Sequence, residues 1–84
     1  MHSVVFLTRK RCCLCDDALG VVREVGREVA FALEIVDIDG DPELRARWGH
    51  KIPVVIVDGR IHAKYRVRSE AFRKRLATPV RRVA

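Results

Sequence analysis

Eighty-four residues, 49% apolar and 33% charged with a formal net charge of +6, leave room for one hydrophobic core and exclude a multidomain chain. Only 6% are aromatic, so that core must be built from Val, Leu, Ile and Ala. The composition also excludes disordered and fibrous classes.

Ser3-Val4-Val5-Phe6-Leu7-Thr8 is an apolar, β-branched run of strand length, and its continuity suits a central strand buried on both faces. The short run from Val4 to Leu7 is no leader core, and Arg9, Lys10 and Arg11 follow it. No run approaches a membrane span. The expectation is a cytoplasmic protein with no membrane partner. From Cys13 to about Ala30 the period changes: Leu14, Ala18, Val21, Val22, Val25 and Val29 recur three or four apart, an amphipathic helix. Asp16 and Asp17 in its first turn complement the helix dipole.

Phe31 to Ile38 reads as a second strand, parallel to the first through a right-handed crossover. Asp41-Pro42-Glu43-Leu44-Arg45-Ala46-Arg47-Trp48-Gly49 carries an N-cap, a proline at the first helical position and a glycine suited to a left-handed stop. Pro53-Val54-Val55-Ile56-Val57 is a third strand, and Asp58-Gly59 turns it into an edge strand over Arg60 to Tyr65. Ser69 is expected to cap a last helix with Phe72 and Leu76 inward and Pro79 at its end. The order is β-α-β-α-β-β-α: an α/β domain with a four-stranded mixed sheet and helices on both faces. Its bounds are 1–78, with a basic tail over 79–84.

All three cysteines, Cys12, Cys13 and Cys15, fall within four positions, a cluster that suits redox chemistry or metal binding rather than a disulfide framework. Cys12-x-x-Cys15 lies where the first strand meets the first helix. Two cysteines three apart at a helix start bring their sulfurs within disulfide range. Unpaired helical N–H groups and Arg9, Lys10 and Arg11 favour a thiolate at the first, while Asp16 and Asp17 oppose it. Cys12 is then the nucleophile and Cys15 the resolving thiol. Zinc sites also use this spacing, and Cys13 reads either as a further ligand for zinc, copper or an iron–sulfur cluster or as a spare thiol. No metal is expected. Asp37-x-Asp39-x-Asp41 begins like a calcium loop, but Pro42 and Trp48 stand where that loop needs Gly and Glu. His50 and His62 read as surface residues. The cations Arg66, Arg68, Arg73, Lys74, Arg75, Arg81 and Arg82 read as a solvated helix face and tail, and nucleic acid is not expected as a partner.

The layout resembles the thioredoxin superfamily, and within it small bacterial glutaredoxin-like proteins. Three stretches carry the resemblance: Leu7-Thr8 to Asp16; Asp37-Ile38-Asp39 with Asp41-Pro42-Glu43-Leu44; and Trp48-Gly49 to Asp58-Gly59. Tyr65-Arg66-Val67 fits as well. The resemblance implies a thiol–disulfide oxidoreductase of redox homeostasis and electron transport, a cis Pro53 beside the cysteines, and an Ile52 backbone that pairs with substrate. The substrate-binding set is Arg9, Lys10, Arg11, Ile52 and Pro53. Partners would be a disulfide-bearing protein or low-molecular-weight thiol, and a thiol or flavoprotein reductant; glutathione is the candidate co-substrate, no other cofactor is called for, and a monomer is expected. Better-known glutaredoxins have Pro-Tyr or a similar pair between the cysteines and a Gly-Gly step after the last strand. Here Cys13-Leu14 stands between them, and no such step lies near Tyr65-Arg66. Two other classes stay open: a metal or iron–sulfur carrier using the cysteine cluster, and a non-catalytic binding module of the same fold.

Overall fold

A computed structural model describes residues 1–78; the basic tail expected over 79–84, with Pro79, Arg81 and Arg82, lies outside them. The elements run β1 (His2–Thr8), α1 (Cys13–Gly26), β2 (Phe31–Asp37), a 3-10 turn (Ile38–Gly40), α2 (Pro42–Trp48), β3 (Val54–Val57), β4 (Arg60–Lys64) and α3 (Ser69–Ala77). The sheet order is β2-β1-β3-β4, with β1 parallel to β2 and antiparallel to β3, and β3 antiparallel to β4. Among the described residues no helix is long and apolar enough to cross a membrane.

Burial follows from the strand period of two. Phe6 and Leu7 point to opposite faces, as do Val54 and Val55, and all four are buried, so the sheet centre is covered on both sides. α1 and α3 lie against each other on one side, and the Phe31 and Phe72 rings meet edge to face there, centroids 5.6 Å apart. α2 follows the 3-10 turn and seals the other, with Ile38 and Trp48 buried.

Four local expectations are corrected. α1 stops at Gly26 rather than near Ala30: Arg27 caps it by donating to the Glu24 and Val25 carbonyls, and the Phe31 ring lies 3.3 Å from where a Cβ on Gly26 would stand. Ile38 belongs to the 3-10 turn, started by Asp37 accepting from the Asp39 amide at 2.9 Å. Gly49 has φ −52°, so it is no left-handed stop; glycine is needed because a Cβ would sit 2.5 Å from the Arg45 carbonyl oxygen. Ser69 is the first residue inside α3, not its cap; Arg68 holds that position with no side-chain capping bond. The hairpin is as expected. Asp58 and Gly59 have φ 51° and 81°, the two positive angles of a type I′ turn.

Candidate active site

Cys12 is the N-cap of α1, in extended conformation, and its Sγ accepts the Cys15 amide at 3.1 Å. Its carbonyl accepts from the Asp16 amide at 3.2 Å. The cap brings Cys12 and Cys15 to disulfide distance, with Cα atoms 5.1 Å apart. Their environments differ. Cys15 is buried at 3% exposure, within the core, whereas Cys12 is half-buried at its edge. Cys13 is a free, exposed thiol. Among the described residues no three His, Cys, Asp or Glu side chains are grouped to hold a metal ion.

The sequence-derived binding residues divide into three kinds. Lys10 and Arg11 are exposed on the turn before Cys12, with Arg11 in the left-handed region at φ 58°, where a non-glycine residue is strained. Arg9 is tied down: its Nη2 lies 3.2 Å from Asp39 Oδ1 and its Nη1 donates to the Gly49 carbonyl at 3.3 Å. That cation fastens the β1–α1 turn to the 3-10 turn ahead of α2 and to the residue that ends α2. Ile52 and Pro53 are buried, their peptide bond is cis, and the Pro53 carbonyl accepts the Tyr65 amide at 2.8 Å.

Several participants were not among the binding residues expected from sequence. Arg45 Nε joins Asp39 at 3.7 Å. A hollow of about 460 Å³ opens there between Arg9, Arg45, Gly49 and His50. A second hollow of about 290 Å³ lies between α1 and the β4–α3 loop, with Leu14, Asp17, Tyr65 and Arg68 in its wall. Tyr65 has φ 67°, a left-handed angle that a periodic apolar pattern does not encode. His62, expected at the surface, instead lies against the Phe72 ring, centroids 5.7 Å apart, and burial there lowers its pKa.

The arrangement is that of a thioredoxin-fold protein with a cysteine pair at the start of its first helix. A mutant thioredoxin from Halobacterium salinarum NRC-1 superimposes with TM-score 0.70 at 16% identity, over 99% of this chain and 78% of that one. Protein Ne2328 from Nitrosomonas europaea, solved by NMR, gives TM-score 0.76 at 23% identity over 89% and 91%. Both likenesses are of fold. The model of the glutaredoxin-like domain (DUF836) matches residues 3–77, and the chain belongs to that family. The uncharacterized protein Mb0520 of Mycobacterium bovis is 33% identical over 87 residues, covering 92% of this chain and 90% of its own.

Proposed function

We propose that the protein is a thiol–disulfide oxidoreductase with Cys12 as nucleophile and Cys15 as resolving thiol. One observation carries the reading: the two sulfurs lie at disulfide distance with unequal access, Cys12 at the edge of the core and Cys15 inside it. An incoming disulfide reaches Cys12 first. The Cys15 amide already points at Cys12 Sγ, and the positive end of the 14-residue α1 adds to it.

In the reducing direction, the Cys12 thiolate attacks one sulfur of a substrate disulfide. The substrate S–S bond breaks, a Cys12–substrate disulfide forms, and the departing thiolate takes a proton from water. Cys15, deprotonated in turn, attacks Cys12 Sγ and releases the second substrate thiolate. Two electrons have passed to the substrate and the protein is left oxidised. A thiol or flavoprotein reductant returns it to the dithiol. Lys10 and Arg11 supply positive charge at the entrance, and Ile52 and Pro53 shape the groove floor; Arg9 serves by positioning the turn.

The test is the reduction potential of the pair in glutathione buffers, with free thiols counted by mass spectrometry. The expected result is a reversible two-electron couple between about −180 and −270 mV. In the same assay on a Cys13→Ser background, Cys15→Ser should accumulate the mixed disulfide and Cys12→Ser should form none. Failure to form a Cys12–Cys15 disulfide at any poise overturns the reading.

A further inference from the structure

The sheet register gathers four chain junctions at one end; one is the exit of β2, where Asp37 lies opposite Thr8 and Asp39 and Asp41 follow. Leu7 pairs with Val54 and Val54 with Lys64, so the chain leaving β1, entering β3 and leaving β4 passes side by side. Segments 9–12, 49–53 and 64–68 at these last three junctions contain Arg9, Lys10, Arg11, Lys51, Lys64, Arg66 and Arg68 and not one carboxylate. Cys12 lies in the first. Arg9 is neutralised by Asp39; the other cations are exposed, and among the described residues none of them makes an ion pair. Asp16 and Asp17, exposed early in α1, are the carboxylates that follow Cys15. Asp37, Asp39 and Asp41 gather at the β2 edge, so the excess of positive charge lies on the β1–β3–β4 side of the rim.

The hollow of about 290 Å³ opens onto this rim. Leu14 and Tyr65 in its wall are 44% and 48% exposed, two large side chains next to the cysteine turn with no cover. Arg66 and Arg68 stand on one side of it and Asp17 on the other. Apolar surface bordered by cations calls for an occupant that is apolar at its centre and anionic around it. The three basic junctions also spread over two strand spacings, about 10 Å, a width that suits several residues of extended chain.

We propose that the disulfide taken by Cys12 belongs to an acidic polypeptide segment, which seats an apolar side chain against Leu14 and Tyr65 and sets its carboxylates against Arg66 and Arg68. The proposal rests on the exchange chemistry above and adds its substrate class. Glutathione disulfide shares the carboxylates but has no apolar side chain for the hollow. Attraction by the unpaired cations raises the encounter rate with an acidic chain and lowers it with a basic one.

The test follows oxidation of the reduced full chain in single turnover by four disulfides. One is a peptide whose cystine is flanked by Asp, Glu and Leu; the second carries Lys in place of the acids. Glutathione disulfide and uncharged hydroxyethyl disulfide complete the set. The acidic peptide should react roughly tenfold faster than the basic one at low ionic strength. The gap should close between about 0.01 M salt, where charges reach about 30 Å, and about 1 M, where they reach about 3 Å. Arg66→Glu with Arg68→Glu should reverse the preference. Arg66→Gln with Arg68→Gln, which removes charge and keeps bulk, should narrow it even where reversal disturbs the loop. Equal rates for the two peptides at low salt overturn the acidic class. Glutathione disulfide matching the acidic peptide overturns the polypeptide assignment. No reaction with any of the four, hydroxyethyl disulfide included, overturns the exchange chemistry itself.

Discussion

Asp58 Oδ1 accepts the Ser3 amide at 2.9 Å, its Oδ2 meets His2 Nδ1 at 2.5 Å, and Arg75 Nη2 stands 3.8 Å away. These contacts, the backbone bond foremost, hold the Asp58 carboxyl below its ordinary value. His62 also titrates lower than usual, because burial, with Arg75 nearby, opposes its charged form. Both folded values are depressed, so the unfolded chain binds more protons and both contributions are lost as pH falls. The His62 share should fade below about pH 6.5 and the Asp58 share below about pH 4. We expect urea midpoints to drop in two stages on acidification, with His62→Gln flattening the upper stage and Asp58→Asn the lower. An unchanged profile in either variant contradicts the assignment of that stage. Little of this was legible in the chain. The cysteine pair announced itself because every cysteine falls within four positions and two of them stand three apart where a strand meets a helix. Arg9–Asp39 and His2–Asp58, by contrast, join residues far apart in sequence, and only the pairing of β1 with β2 and β3 brings them together.

α3 starts without a capping side chain, because Arg68 occupies the N-cap and only its carbonyl takes part, accepting from the Phe72 amide at 2.9 Å. A hydroxyl or carboxylate there is worth about 1 kcal/mol. An arginine that forgoes this gain fits a position chosen for its charge toward substrate. Arg68→Ser should therefore raise stability to urea by about 1 kcal/mol while slowing reaction with an acidic peptide disulfide. A gain in stability with no loss of rate would take Arg68 out of the binding surface. Helices were legible by period, and so was the start of α2, where Asp41 accepts the Glu43 and Leu44 amides ahead of Pro42, but other helix ends were not. The apolar repeat of α1 continues to Val29, which still packs on the core from outside the helix. Ser69 looked like a cap, but the helix begins one residue earlier than a serine cap would require. Gly49 is needed for the room its hydrogen leaves near Arg45, a requirement visible only once α2 is built.

The sheet has two edges of different character. β4 presents Arg60, His62 and Lys64, and a register irregularity interrupts its pairing with β3. Charge and irregular pairing discourage a further strand. β2 presents Leu33 and Ile35, 36% and 43% exposed, with Glu34 between them. An apolar run reads alike at an edge or at the centre, so sequence gave the strand order no signal here, although β1 was legible as central. Ile35→Lys should change unfolding free energy by no more than about 0.5 kcal/mol and reduce concentration-dependent light scattering. A large fall in the urea midpoint would mean that Ile35 supports the core after all. The long axis of β1 has one more consequence. Its first residues are fastened to the Asp58–Gly59 turn, and its last lead into Cys12 about 20 Å away. A tether or fluorophore fixed beside that turn through the exposed Arg60 side chain would hold the molecule by its quiet end. An electrode or sensor surface prepared this way would present every copy with its cysteines facing the solution.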